Sequence, residues 1–207
     1  MVTPERHPFQ PFLPNGARML FLGSFPPQPH RWCMPFYYPN WINDFWRIMG
    51  LIHFADKDHF CLPSEKRFDE PAIRAFCMAQ GLAFYDTACE VRRLRGNASD
   101  AFLEVVTPTD IPSLLARIPS CRRLITTGEK ATGVVAERFN CPVPAIGSFV
   151  EVSVGTEVLV GDEASAGDEA LPGSSCAPLQ FWRMPSSSRA YPLPLERKAD
   201  FYRRLFV

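Results

Sequence analysis

Residues 17–27 of the chain are ARMLFLGSFPP, and this stretch decides the fold class. Its first seven residues form a short, largely apolar run of the length that is typical of a buried strand. Pro26 and Pro27 then exclude both a helix and a continued strand, so a loop must begin there. The stretch therefore predicts a buried strand with a loop at its carboxyl end, which is where open parallel sheets bind their ligands.

The same alternation of helix and strand continues along the chain. Further strands are predicted over residues 82–85, 122–127 and 179–184, and helices after Asn43 and over residues 70–80, 108–118, 128–139 and 195–206. We expect Gly50 to end or interrupt the first helix. In the last helix, Leu195, Ala199, Tyr202 and Phe206 form the apolar face, and Lys198 is expected elsewhere. This order predicts an α/β three-layer sandwich with a central, mostly parallel four-stranded sheet flanked by helices.

The chain has 207 residues, of which 46% are hydrophobic, and this predicts a single domain over residues 1–207. Residues 149–160 alternate in polarity around a Gly-Thr pair and predict a hairpin. Residues 161–177 are rich in Gly, Ala, Ser and acids, and predict a mobile loop. Neither a membrane span nor a signal pattern is visible, so we expect a cytoplasmic protein, with a monomer as the default.

The charge is unevenly distributed, although the formal net charge is zero. Residues 139–182 hold six acids and no Lys or Arg, so the rest of the chain has 22 basic and 16 acidic side chains. That remainder could present a basic face to phosphates. The cysteines form no CxxC pair and the four histidines show no ligand spacing, so we expect no metal and no cofactor.

Five segments in a fixed order carry a resemblance to a known family. They are GSFPP at residues 23–27, FYY at 36–38, NDFW at 43–46, TGEKA at 127–131 and MPSSSR at 184–189. Together they resemble the uracil-DNA glycosylase superfamily, over about residues 17–206 and nearest to its mismatch-specific and hypoxanthine-type branches. The resemblance implies a DNA partner and a pocket for a base that is flipped out of the helix.

By this resemblance, the pocket is formed by Gly23, Ser24, Phe25, Tyr38 and Asn43. Tyr38 matches the aromatic residue that stacks on the base, and such stacking contributes about 1–3 kcal/mol. Asn43 matches an asparagine that contacts the base edge and takes a catalytic part. An asparagine that begins a helix is also an ordinary cap, and the two roles can coexist.

Asp86, at the end of the second predicted strand, is the second catalytic candidate, because a carboxylate can orient or deprotonate the attacking water. A structural cap is the alternative for this residue. Asp100 is a reserve carboxylate in a segment that resembles the hypoxanthine-type branch. His30, in the loop after the first strand, is an outside candidate for a phosphate contact.

Pro185, Ser186, Ser187, Ser188 and Arg189 resemble the loop that enters the minor groove beside the flipped nucleotide. Ser188 stands where the family often has a leucine wedge, so the guanidinium of Arg189 is the candidate plug. Serines after a strand can also cap the closing helix. We favour the DNA-binding interpretation because small hydroxyl residues can approach phosphates closely.

The residues therefore lead to two functional hypotheses. The leading one is a monofunctional DNA glycosylase of base excision repair, which hydrolyses the N-glycosidic bond of uracil or hypoxanthine. The second is a nucleic-acid-binding module that kept the base pocket and lost the chemistry. Phe25 stands where the family has Asp or Asn, and Met184 stands where its most active branch has His. These two departures favour the second hypothesis.

Overall fold

The computed structural model describes residues 3–94, 102–153 and 178–207. The strands are β1 (Glu5–Arg6), β2 (Met19–Gly23), β3 (Cys61–Leu62), β4 (Arg67–Phe68), β5 (Leu82–Asp86), β6 (Ala88–Arg93), β7 (Leu103–Pro108), β8 (Arg123–Thr126), β9 (Ser148–Val152) and β10 (Leu179–Arg183). The helices are α1 (Phe45–Phe54), α2 (Glu70–Gln80), α3 (Ile111–Ala116), α4 (Glu129–Arg138) and α5 (Leu195–Arg203). Asp100 and residues 161–177, for which the sequence predicts a reserve carboxylate and a mobile loop, lie outside the described residues.

Within the described residues, the central sheet has five strands in the order β5-β2-β8-β10-β9. The first four are parallel and correspond to the four predicted strands. The expected count of four was wrong, because β9 adds an antiparallel edge strand that pairs with β10. The described part of the hairpin predicted over residues 149–160 is β9, which pairs with a strand some 30 residues later in the chain, and residues 154–160 lie outside the described residues.

The parallel register aligns the carboxyl ends of the strands. Gly23, the last residue of β2, lies beside Asp86, the last residue of β5. Thr126 at the end of β8 lies beside Leu22 on one side and Arg183 on the other. The loops that follow β2, β8 and β10 therefore leave the sheet along one edge, as expected for an open parallel sheet.

The helices follow the sequence pattern with one clear exception. Helix α2 has the predicted bounds and ends at Gly81, and the Asp110 carboxylate caps α3 by accepting from Ser113 N. Helix α1, by contrast, runs through Gly50, where we expected a break. A Cβ at Gly50 would overlap the backbone of Asp56, so this glycine serves close packing and not helix termination. None of the helices in the described residues is long and apolar enough to cross a membrane.

A small antiparallel sheet, in the order β1-β6-β7, accompanies the central one. We did not predict it, because its strands carry charged residues at several positions and lack a clean apolar alternation. Its own small core consists of Phe25, Ala88, Val91 and Leu103. Phe25, in the loop after β2, thus connects the small sheet to the edge of the central sheet where the loops emerge.

Lys198 of α5 does not lie on an exposed face as expected. Its side chain is 1% exposed, and Nζ donates to Asp44 Oδ2 at 3.0 Å and to the Ser188 carbonyl at 2.8 Å. A buried ammonium is tolerated only when it is paired and hydrogen-bonded, and Asp44 meets that requirement. Helical periodicity cannot reveal such a partner 154 residues away.

We expect Lys198→Met to destabilise the protein by about 3 kcal/mol, because it removes one partner of a buried ion pair and keeps the side-chain volume. Urea denaturation would measure this change. Arg197→Ala, at a neighbouring side chain that is 69% exposed, is the matched control and should change stability little. Equal effects of the two substitutions would contradict the assigned role of Lys198.

Candidate functional site

A cavity of about 660 Å³ lies where the loops leave the central sheet. Its volume is in the range of pockets that bind small organic ligands. It is lined by residues of four loops, 23–27, 37–43, 127–128 and 186–190, and by Phe9, Arg31, Tyr85 and Asp86. Residues that are more than 160 positions apart in the sequence therefore share one site.

The second and the last of these loops, 37–43 and 186–190, are tied together around Asp44, which immediately precedes α1. The Asp44 backbone N–H donates to the Ser187 carbonyl at 2.9 Å, and Asn43 forms a β-bridge with Ser188. The Asp44 carboxylate receives Arg189 Nε on Oδ1 at 3.0 Å and Lys198 Nζ on Oδ2. Asp44 thus holds the C-terminal loop against the start of α1 and closes one side of the cavity.

Tyr38 forms an aromatic wall of the cavity. Its backbone has a φ of 51°, the left-handed region that few non-glycine residues adopt. Its ring lies parallel to Phe45, with the ring centroids 3.8 Å apart, and its hydroxyl is 2.8 Å from Thr127 Oγ1. Burial raises the pKa of this phenol, so it stays neutral. Since Phe45 covers one face, a planar ligand could stack only on the opposite face of the Tyr38 ring.

Asn43 lies just before Asp44, the N-cap residue of α1, and its side chain both binds the start of the helix and lines the cavity. Its Oδ1 accepts from Phe45 N at 2.9 Å, which binds the first backbone N–H of α1. Because a backbone N–H must face the amide oxygen, this bond fixes the orientation of the amide. The NH₂ group is then the part of Asn43 that remains for a ligand, and the two interpretations of this residue are compatible.

Asp86 supplies a carboxylate at the cavity wall. Its side chain is 10% exposed, and Oδ2 lies 2.8 Å from His7 Nε2. A Cβ at Gly23 would overlap Oδ1, so the carboxylate occupies the space that this glycine leaves empty. The backbone of Asp86 makes a further contact. Its carbonyl accepts from Thr109 Oγ1 at 2.7 Å, which holds the end of β5 in place.

The other residues that the sequence singled out are placed as follows. Ser24, Phe25, Ser186, Ser187, Ser188 and Arg189 all line the cavity. Phe25 and Ser187 are largely buried, with exposures of 9% and 2%. Pro185 is buried away from the cavity, and its carbonyl accepts from the Tyr202 hydroxyl. Met184 is also in the core, and His30 is exposed but does not line the cavity.

Sequence reasoning did not single out several polar residues of this region, among them His7, Arg31 and Thr127. Thr127 follows β8, so the rule that ligands bind at the carboxyl ends of parallel strands could have identified it. Arg31 lies in the loop that we had already assigned to the pocket. His7 belongs to a proline-rich lead-in, and no sequence pattern points to it.

Comparison with known proteins supports the fold. No family model and no curated protein matches the chain. Among solved structures, the chain is similar to a protein from Methanosarcina acetivorans, solved by solution NMR and described as a "putative Uracil DNA glycosylase". The TM-score is 0.59 with 17% sequence identity, and the match covers 99% of this chain and 100% of the other. At this identity the likeness concerns the fold.

We expect Gly23→Ala to displace the Asp86 carboxylate and to cost about 1–3 kcal/mol of stability, since the added methyl group has no free space. Thermal or urea denaturation would measure the cost. Gly133→Ala is the matched control, because nothing lies within 4 Å of its Cβ position in α4. That change should stabilise the helix by about 0.5–1 kcal/mol. Equal behaviour of the two variants would contradict the close approach of Asp86 to Gly23.

Proposed function

We propose that this protein is a DNA glycosylase that flips a deaminated base, uracil or hypoxanthine, into the cavity and hydrolyses its N-glycosidic bond. The observation that carries the proposal is the meeting of an aromatic wall, an amide donor and a carboxylate in one cavity, supplied by Tyr38, Asn43 and Asp86. Its fold-level support is the likeness to the Methanosarcina acetivorans structure.

The orientation of Asn43 accounts for the choice of a deaminated base. Deamination replaces an exocyclic amino group, which is a hydrogen-bond donor, with a carbonyl, which is an acceptor. Since Oδ1 of Asn43 is bonded to Phe45 N, the amide offers its NH₂ group, which pairs with a carbonyl and not with an amino group. The amino group of a normal adenine, placed where hypoxanthine has its carbonyl, would face the Asn43 NH₂ group donor to donor, and that carries a cost in a buried site.

The reaction needs water as its only co-reactant. The bond between C1′ and the base nitrogen breaks with its electron pair on the base, and the water oxygen bonds to C1′. One proton of the water passes through the Asp86 carboxylate to the base, and the other remains on the sugar hydroxyl. The Asn43 NH₂ group stabilises the charge that develops on the base carbonyl, and Tyr38 stacks on the base.

This assignment also accounts for the two departures from the family pattern. Phe25 cannot handle a proton, but Asp86 brings a carboxylate to the same wall of the cavity from the adjacent strand. Met184 is 1% exposed and lies in the core, so a leaving base would not touch it. A binding module without chemistry remains the alternative function, and it has no use for the paired carboxylate of Asp86.

DNA would approach over the rim of the cavity. Arg31 and Arg189 line it, and the Arg189 side chain is 49% exposed. Ser186 and Ser188 add hydroxyl groups that can bind phosphate oxygens. The pairing of Arg189 with Asp44 orients its guanidinium at the rim.

Asn43→Asp tests the amide donor without removing the helix cap, because a carboxylate oxygen can still accept from Phe45 N. We expect release of uracil or hypoxanthine from a duplex oligonucleotide to slow about 100-fold or more. This is the usual effect of removing one hydrogen-bond donor that stabilises a charge developing in the transition state. Strand cleavage at the resulting abasic sites under single-turnover conditions would measure the rate.

The matched control is Asn15→Ala, an exposed turn residue that does not line the cavity, and it should retain the wild-type rate. Wild-type protein that binds these duplexes but releases neither base would favour the binding module. Full activity in Asn43→Asp would refute the role of the amide.

Arg31→Ala and Arg189→Ala should each weaken DNA binding. Each should also reduce the magnitude of the slope of the logarithm of the association constant against the logarithm of the salt concentration by about 0.9, the value for one phosphate contact. Fluorescence anisotropy with a labelled duplex at several salt concentrations would give the slopes. Arg117→Ala is the control, since Arg117 is exposed at the end of α3 and does not line the cavity. Identical slopes in all three variants would show that DNA does not cross this rim.

A further inference from the structure

His7 is the partner of Asp86, although none of the sequence motifs includes it. Its side chain is 2% exposed, and Nε2 lies 2.8 Å from Asp86 Oδ2. The backbone N–H of His7 donates to the Cys89 carbonyl at 2.8 Å, next to the pairing of β1 with β6. The small antiparallel sheet therefore carries His7 to the end of β5, behind the wall of the cavity.

The imidazole ring is confined on several sides by aromatic rings. Phe9, Phe25, Tyr37 and Tyr85 have ring centroids between 4.6 and 6.3 Å from its own. Such packing leaves the ring little freedom to rotate away from Asp86. The direction of the hydrogen bond to the carboxylate is therefore set by the surrounding structure.

The other ring nitrogen has two possible partners on one residue. His7 Nδ1 lies 2.9 Å from the Phe9 carbonyl and 3.1 Å from Phe9 N. When the imidazole is neutral, Nδ1 can accept from Phe9 N–H, and when it is protonated, Nδ1 can donate to the Phe9 carbonyl. In both states Nε2 carries the hydrogen that faces Asp86. The contact between His7 and Asp86 can thus persist whether or not His7 is charged.

We propose that His7 is a positioning residue, which occupies Asp86 Oδ2 so that Oδ1 is the oxygen that takes the proton of the attacking water. This inference rests on the proposed glycosylase function and adds a residue to it. Oδ1 lies against Gly23, and Gly23 and Asp86 both line the cavity. His7 itself does not line the cavity and acts through Asp86.

Two substitutions distinguish a role of His7 in positioning Asp86 from a role in packing alone. His7→Phe keeps an aromatic ring but has no hydrogen to donate, and His7→Gln has an amide that can donate to Asp86. We expect His7→Phe to slow single-turnover base release about 10- to 100-fold, the usual effect of losing a partner that orients a functional group. His7→Gln should recover most of the rate. Both variants should keep the wild-type affinity for a duplex that contains an uncleavable analogue of the deaminated nucleotide.

A double-mutant cycle tests whether His7 acts through Asp86. In an Asp86→Asn background, His7→Phe should cause no further loss of rate, because the carboxylate that it positions is absent. His59→Ala is the control for removing a histidine, as His59 stacks on Phe54 and does not line the cavity. An additive loss, or equal loss in His7→Phe and His7→Gln, would overturn the proposal.

Nitrogen-15 NMR of the imidazole gives a readout that does not depend on activity. We expect a signal that shows hydrogen on Nε2, the nitrogen that faces Asp86, and we expect this signal to shift in Asp86→Asn. A neutral ring with hydrogen on Nδ1 would overturn the proposal even if bases are released. If wild-type protein releases no base, the proposed function fails, whereas the protonated Nε2 still supports the pairing of His7 with Asp86.

Discussion

The carboxylate of Asp44 is the group on which the assembly of the site depends. A carboxylate that is almost inaccessible to water needs cationic or hydrogen-bonding partners, and Asp44 obtains them from Arg189 and Lys198, about 150 residues away. Its backbone N–H adds a bond to the Ser187 carbonyl. Satisfying this one buried charge brings the C-terminal loop and α5 against the start of α1. The cavity has a closed side for that reason.

A second constraint comes from the register of the parallel strands. Because β2 and β5 end side by side, a carboxylate at the end of one strand must fit against the last residue of the other. Gly23 provides that space, and His7 occupies the remaining oxygen of the Asp86 carboxylate. The two sheets thus meet at Asp86, because the central sheet carries this residue and the small sheet carries its partner, His7.

Much of the central sheet could be predicted from the sequence, because each parallel strand contains a short apolar segment and lies between glycines, prolines or helix signals. Most of the residues that the sequence singled out for the pocket line the cavity, including Tyr38, Asn43 and Asp86. The small sheet was missed because its strands carry charges on partly exposed faces, and periodicity gives little signal there. Gly50 was misinterpreted because glycine serves both to end helices and to allow close packing.

The sequence by itself determined the fold class, the positions of the parallel strands and the loops that follow them. These features depend on local patterns of apolar residues, prolines and caps, which act over a few neighbouring residues. Only the tertiary structure decided that Lys198 is buried against Asp44, that Asn43 offers its NH₂ group, and that His7 is bound to Asp86. Each of these is a contact whose energy depends on burial and on distances of about 3 Å, and residues far apart in the chain meet at such distances only after folding.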